Sequence, residues 1–156
     1  MPGKLDITSH AIQEVLMHAL MKFFAAVVLG LALFAGPSAI AGNDDPLFVN
    51  ATSEDPHRAK MALVFASKQQ ERKHPVTIFL NDKAVLIGSK AAGDTYAEHQ
   101  RIISGIIKAG GNVLVCPMCM EHYGIKKEDL IDGLQIGNPE LTGSLLFKGD
   151  TKTLSW

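Results

Sequence analysis

Two cysteines are all that this 156-residue chain contains, and no second Cys-x-x-Cys pair answers the first. A closed structural zinc site takes about four ligands, so one pair of thiols does not build one. Basic blocks are missing as well. The formal net charge is −1 with the signs interspersed, and no basic-aromatic ladder occurs, which removes nucleic acid from the expected partners. Internal repeats and low-complexity tracts are absent, which excludes solenoid arrays. No apolar run reaches the roughly 20 residues that a helical membrane span needs. Nothing in the chain asks for a cofactor, and none is expected.

What is present fits one globular domain behind a targeting segment, with 47% hydrophobic and 20% charged residues. Met21-Lys22 opens the uncharged run "FFAAVVLGLALFAG" (residues 23–36), and Ala39-Ile40-Ala41 closes it. A basic start, a short apolar core and an A-x-A end form a secretory signal peptide over residues 21–41. The alternative is an uncleaved anchor. Residues 1–20 precede a natural start at Met21 and read as a mis-called start or a non-native extension. The domain proper is expected over 42–156, in the periplasm, with no membrane association after cleavage. That compartment is oxidising, so two neighbouring cysteines default to a disulfide unless chemistry keeps them cycling.

Within 42–156, strands and helices alternate. "LFVN" (47–50) reads as a strand. Thr52 then caps a helix with Asp55 in its first turn, and Ala59, Ala62, Leu63 and Ala66 share its apolar face. "PVTIFL" (75–80) is a buried strand. "AVLIG" (84–88) is ambiguous between strand and apolar loop. Thr95-x-x-Glu98 is a capping box, and Ile102, Ile103, Ile106 and Ile107 recur at helical spacing up to Gly110-Gly111. "NVLV" (112–115) is a third strand that runs into Cys116. A short helix over 117–123 follows, then further helical turns at "KKEDLIDG" and a short strand at "LQIG". Asn138-Pro139-Glu140 starts another helix, and "TKTLSW" is a last strand. This order predicts an α/β fold: a parallel sheet of about five strands with helices on both faces. Ligand sites in such sheets lie beyond the carboxyl ends of the strands, where Asn50, Asn81, Cys116 and Gly137 fall.

Cys116 ends a strand and starts a helix, where free backbone N–H groups and the helix dipole lower a thiol pKa. Pro117 suits the first helical position. Cys119, one turn on, is close enough to close a disulfide. Cys116 is therefore the candidate nucleophile and Cys119 its partner, for sulfur transfer or dithiol redox work. A permanent disulfide is a second reading. A soft-metal site for Cu(I) on Cys116 and Cys119, near Met118 and Met120, is a third. His122, one turn past Cys119, is a candidate proton holder. His57 is a weaker one, and His74 and His99 are expected at the surface.

"LFVNATSEDPHRAKMALVFASKQQ", "HPVTIFLNDKAV" and "GGNVLVCPMCMEHYGIKKEDLIDG" together resemble the DsrE/DsrF-like proteins, which include the TusD-like sulfur carriers. The shared features are a first strand ending in Asn or Thr, the "FLND" strand, and a cysteine ending the third strand eight residues before a glycine, here Cys116 and Gly124. The resemblance implies a flavodoxin-like fold, assembly into dimers, trimers or hexamers, and sulfane sulfur carried as a persulfide on Cys116. Sulfur donor and acceptor proteins, or small sulfur compounds, would be its partners. Such a protein is a possible sulfurtransferase in a relay rather than a classical turnover enzyme. Cys119 is additional to the single-cysteine carriers, and export separates this chain from the carriers of cytoplasmic tRNA thiolation.

Overall fold

The computed structural model describes residues 14, 16–23 and 44–156. The chain divides into two compact units, Met1–Ile40 and Ala41–Trp156. In the first, residues 16–23 are helical. The rest of the expected upstream extension apart from residue 14, and the expected signal peptide from residue 24 onward, lie outside the described residues. Among the described residues no helix is long and apolar enough to cross a membrane.

In the second unit, β1 (Leu47–Ala51), β2 (Val76–Leu80) and β3 (Asn112–Val115) are short runs of branched and aromatic residues, which fit a pleated, buried surface. With β4 (Gln135–Ile136) and β5 (Lys152–Ser155) they form one sheet in the order β4-β3-β2-β1-β5, parallel throughout. Helices α1 (Pro56–Glu71), α2 (Gly93–Lys108), α3 (Pro117–His122) and α4 (Pro139–Leu146) surround it. This is the α/β, flavodoxin-like architecture expected from the element order. The ambiguous "AVLIG" belongs to a 3-10 helix, Asp82–Gly88, with Ala84, Val85, Ile87 and Gly88 buried.

The strands alternate in and out of one core. Val49, Ile78, Leu80, Val113 and Val115 pack with Ala62, Leu63 and Ala66 of α1 and with Ile103 and Ile106 of α2. Each large side chain in that set contributes about 1.5–3 kcal/mol by leaving water. The opposite face holds Phe48 and Phe79, whose rings lie 6.4 Å apart, and the fully buried Leu114. A side chain at Gly137 would meet the Phe79 ring at 3.3 Å and the Thr142 hydroxyl at 3.1 Å, so a glycine lets α4 follow β4 closely.

Three local expectations are corrected. Asp55, not Thr52, caps α1: its carboxylate accepts the Arg58 amide at 2.7 Å while Pro56 takes the first helical position. Thr52 instead donates its hydroxyl to the Trp156 carbonyl at 2.9 Å. The Thr95 capping box is not used, because α2 already begins at Gly93 and leaves helical geometry at Tyr96 (φ −116°, ψ 20°). Tyr96 is tied down elsewhere, its hydroxyl donating to the Glu54 carbonyl at 2.6 Å, and that anchor overrides the local cap. His99 is not at the surface. It is only 4% exposed, its Nε2 meets the Pro56 carbonyl at 2.7 Å, and its ring stands edge-on to Tyr96. It lies on the buried stripe Tyr96, His99, Ile103, Ile106, where one satisfied nitrogen lets an imidazole join the core. His74 is half-buried and bonded to the Asp45 carbonyl at 2.9 Å.

The ladder bonds continue one residue past the strands. Asn81 N–H donates to the Ala51 carbonyl, Cys116 N–H to that of Leu80, Gly137 N–H to that of Val115, and Trp156 N–H to that of Asn50, at 2.8–3.0 Å. Asn50, Asn81, Cys116 and Gly137 are thereby aligned along one edge, the carboxyl end of the sheet.

Candidate functional site

Cys116 leaves β3 with extended backbone angles (φ −70°, ψ 114°) and is the N-cap of α3, where Pro117 presets the first turn. The cap bond runs through sulfur: the Cys119 amide donates to Cys116 Sγ at 3.2 Å. Helical geometry sets the two Cα atoms 5.3 Å apart, and the two sulfurs are joined as a disulfide. Both residues are half-buried, so the pair is reachable from solvent.

The loop after β2 forms the other wall. Asn81 is extended and caps the 3-10 helix, its Oδ1 accepting the Asp82 amide at 2.9 Å. That oxygen also lies 3.1 Å from Cys119 Sγ, and the Asp82 amide lies 3.2 Å from the same sulfur. Asp82 sits at φ 47°, a left-handed conformation unusual for a residue with a side chain. Its carboxylate takes the Tyr123 hydroxyl at 2.8 Å. That hydrogen bond, with burial and the negative charge behind it, raises the Tyr123 phenol above its ordinary pKa. Next along the chain, Lys83 is held protonated above its usual range, chiefly by its hydrogen bond to Glu54 at 2.6 Å and by the Glu54 charge.

A polar chain crosses the strand ends. Ser155 Oγ lies 3.5 Å from Asn50 Nδ2, and Asn50 Oδ1 lies 3.4 Å from Asn81 Nδ2. It links β5, β1 and β2 to Cys119. Of the residues singled out in the sequence, Asn50, Asn81, Cys116 and Cys119 thus meet in one cluster. His122 does not join them: it is exposed, its ring edge-on to Tyr123 at 4.7 Å, and it hydrogen-bonds to neither sulfur among the described residues. Met118 is 79% exposed while Met120 is buried in the core, so the two thioethers diverge. Among the described residues no group of three or more His, Cys, Asp and Glu stands close enough to hold a metal ion. Asp82, Tyr123 and Ser155 join the cluster beyond the residues that the sequence singles out. "FLND" did contain Asp82, and an Asx residue after a strand is a signal for a left-handed turn.

A sequence model described as the DsrE/DsrF-like family matches residues 47–151. The chain belongs to the DsrE/DsrF-like family. Among its relatives, this DsrE/DsrF-like chain is 31% identical over 88 residues to the uncharacterized protein MK0008 of Methanopyrus kandleri, covering 54% of this chain and 73% of that one. Solved structures share its fold. The ychN protein from E. coli superposes with a TM-score of 0.61 at 22% identity, over 72% of this chain and 99% of that chain. The protein MTH1491 of Methanobacterium thermoautotrophicum does so at 0.57 and 12% identity, over 71% of this chain and all of that one.

Proposed function

We propose that this DsrE/DsrF-like protein is an exported, periplasmic sulfur carrier that holds sulfane sulfur as a persulfide on Cys116, with Cys119 as the resolving thiol. One observation carries the reading. Cys116 is both the end of a central strand and the N-cap of α3, and the Cys119 amide points at its sulfur. An N–H donor stabilises a thiolate, and also the anionic outer sulfur's neighbour once sulfur is loaded.

The Cys116 thiolate attacks the terminal sulfur of a donor persulfide, R–S–SH. The donor S–S bond breaks, R–S⁻ leaves, and Cys116 becomes Cys116–S–SH. An acceptor thiolate then takes the outer sulfur and returns the Cys116 thiolate. Alternatively the Cys119 thiolate attacks Cys116 Sγ, hydrosulfide leaves, and the disulfide of this structure forms. In that branch the sulfane sulfur is reduced and the two cysteines are oxidised, so an external dithiol must reduce the pair before another cycle.

The partners on this reading are a sulfur donor and an acceptor, proteins or small sulfur compounds. An open cleft of about 650 Å³ lined by Thr52, Ser53, Glu54, Arg58, Lys83 and Tyr96 lies at the same edge and offers them room. Export enters this reading on the pattern of residues 21–41, a basic start, an apolar core and an A-x-A end. Homo-oligomerisation enters this reading through the family resemblance.

The test is intact-mass spectrometry of the reduced protein after incubation with a polysulfide. Cys119→Ala should gain one sulfur atom and keep it, and Cys116→Ala should gain none at that position. Wild type should pass through the same adduct and end as the disulfide with sulfide released. If Cys119→Ala remains unmodified while a small-molecule thiol in the same tube is loaded, the carrier reading is wrong.

A further inference from the structure

We infer that Asn81 is the positioning residue that holds the proton of Cys119 in the dithiol state, so that Cys116 is the nucleophile and a persulfide on Cys116 outlives its formation. The inference rests on the carrier reading for its second half only.

The orientation of the Asn81 amide is set by the backbone N–H of Asp82, which needs an acceptor there. Asn81 Oδ1 accepts that N–H at 2.9 Å, and Asn81 Nδ2 faces Asn50 Oδ1 at 3.4 Å. Turning the group over would set one N–H donor against another at Asp82. The carbonyl oxygen is therefore the atom that stands 3.1 Å from Cys119 Sγ. A disulfide sulfur has no proton to give it, and a thiolate there would face its lone pairs. A thiol satisfies it, because S–H donates to the amide oxygen. The Asp82 N–H, which could favour the thiolate, is shared between Asn81 Oδ1 at 2.9 Å and the sulfur at 3.2 Å, with the oxygen nearer. The two sulfurs are therefore not equivalent. Each sulfur faces a backbone N–H at 3.2 Å, and Cys119 Sγ stands in addition beside a carbonyl oxygen, which favours its thiol over its thiolate.

The other ionisable groups around Cys119 are already engaged. On the β2 loop, the Asp82 carboxylate takes the Tyr123 hydroxyl and Lys83 is paired with Glu54. On α3, Glu121 and His122 are exposed, and Cys116 is the remaining titrating neighbour. What Asn81 controls is one step. Cys119 must lose its proton to water or buffer before its thiolate can attack Cys116 Sγ and expel hydrosulfide. An acceptor that holds this proton slows resolution and leaves time for transfer to an external thiol.

Two substitutions pull in opposite directions. Asn81→Ala removes the acceptor. Asn81→Asp keeps an acceptor and adds a negative charge, with Asn50 free to turn its amide and donate to it. In a Cys116→Ser background, where Cys119 is the lone thiol, the pH midpoint of iodoacetamide alkylation should fall with Asn81→Ala and rise with Asn81→Asp. In the two-cysteine protein loaded with polysulfide, sulfide release should speed up about threefold to tenfold with Asn81→Ala, the range one hydrogen bond supplies, and slow with Asn81→Asp. A residue that merely props the loop would shift both variants the same way. Midpoints that do not move, or that move together, overturn the inference. Should Asn81→Ala fail to fold, Asn81→Leu, which fills similar space without an acceptor, takes its place, and a midpoint that stays or rises overturns the inference. Opposed midpoints without any sulfur loading would leave the proton-holding role standing and remove the carrier reading instead.

Discussion

The same three strands serve two regions built on opposite terms. Under α1 and α2, Val49, Ile78, Leu80, Val113 and Val115 have no exposed surface, and their neighbours are apolar. A residue or two further along, Asn50, Asn81 and Cys116 are half-buried, and a loose polar chain runs from Ser155 to Asn50 at 3.5 Å and from Asn50 to Asn81 at 3.4 Å. The face is held by the exclusion of water, which is insensitive to pH and to oxidation. The edge is held by directional bonds to sulfur, amide and carboxylate, which are sensitive to both. The difference teaches that the sheet supplies position and the edge supplies reactivity, and that the two can be damaged separately.

The largest effect should come from damage to the face alone. Ile103 is fully buried in the core between α2 and the sheet, and its side chain has no polar atom. Ile103→Ala should cost about 2–5 kcal/mol, the range for truncating a packed aliphatic residue. Urea unfolding measures it. The alkylation rates of the cysteines in the fraction that remains folded should be unchanged. A change in those rates at constant fold would mean that face and edge are coupled through the strands.

A smaller effect sharpens the contrast. Two residues other than glycine have left-handed backbone angles among the described residues: Lys73 at φ 78°, in the turn between α1 and β2, and Asp82 at φ 47°, at the site. Glycine adopts that region without steric cost, and relief at such a position is on the order of 0.5–1 kcal/mol. Lys73→Gly should raise stability by about that amount with thiol reactivity unaltered. Asp82→Gly should show no comparable gain, because it also removes the Tyr123 acceptor, and it should alter Cys119 alkylation by freeing the amide that faces the sulfur. Equal behaviour of the two variants would mean that the conformation of Asp82 is incidental to the site.

The face was the more legible of the two regions. Ala59, Ala62, Leu63 and Ala66 were readable from helical spacing, and Ile103 and Ile106 likewise, because burial imprints a period on sequence. The parallel order followed from alternation of elements, and Cys116 from its place at the end of a strand. The edge was legible only as positions. That Asn81 turns its oxygen toward Cys119 depends on register between β2 and β3, and no local pattern encodes register between strands so far apart in sequence. His99 and Thr95 misled for a related reason: a contact with Pro56 and one between Tyr96 and Glu54, both more than 40 residues away in sequence, outweighed polarity and capping preference.

The smallest effect isolates the edge as the part that titrates. The Tyr123 phenol is raised above its ordinary value first by its hydrogen bond to Asp82, then by burial and by the Asp82 charge. A folded-state value above the unfolded one means that this bond stabilises the protein fully below the ordinary phenol range, near pH 10, and is lost as pH rises through the raised value. Tyr96, the other tyrosine, is raised by burial and by Glu54 and Asp55, so Tyr96→Phe is the background in which to follow Tyr123 by ultraviolet absorbance. The midpoint should lie above the ordinary one and return toward it in Asp82→Asn, whose amide carries no charge. Cys119 alkylation, compared between the two proteins at a pH below both midpoints, should differ if the Tyr123–Asp82 bond is what holds the turn against the sulfur. A midpoint indifferent to Asp82→Asn would detach Tyr123 from the edge and leave Asn81 as the side chain of the β2 loop that bears on Cys119.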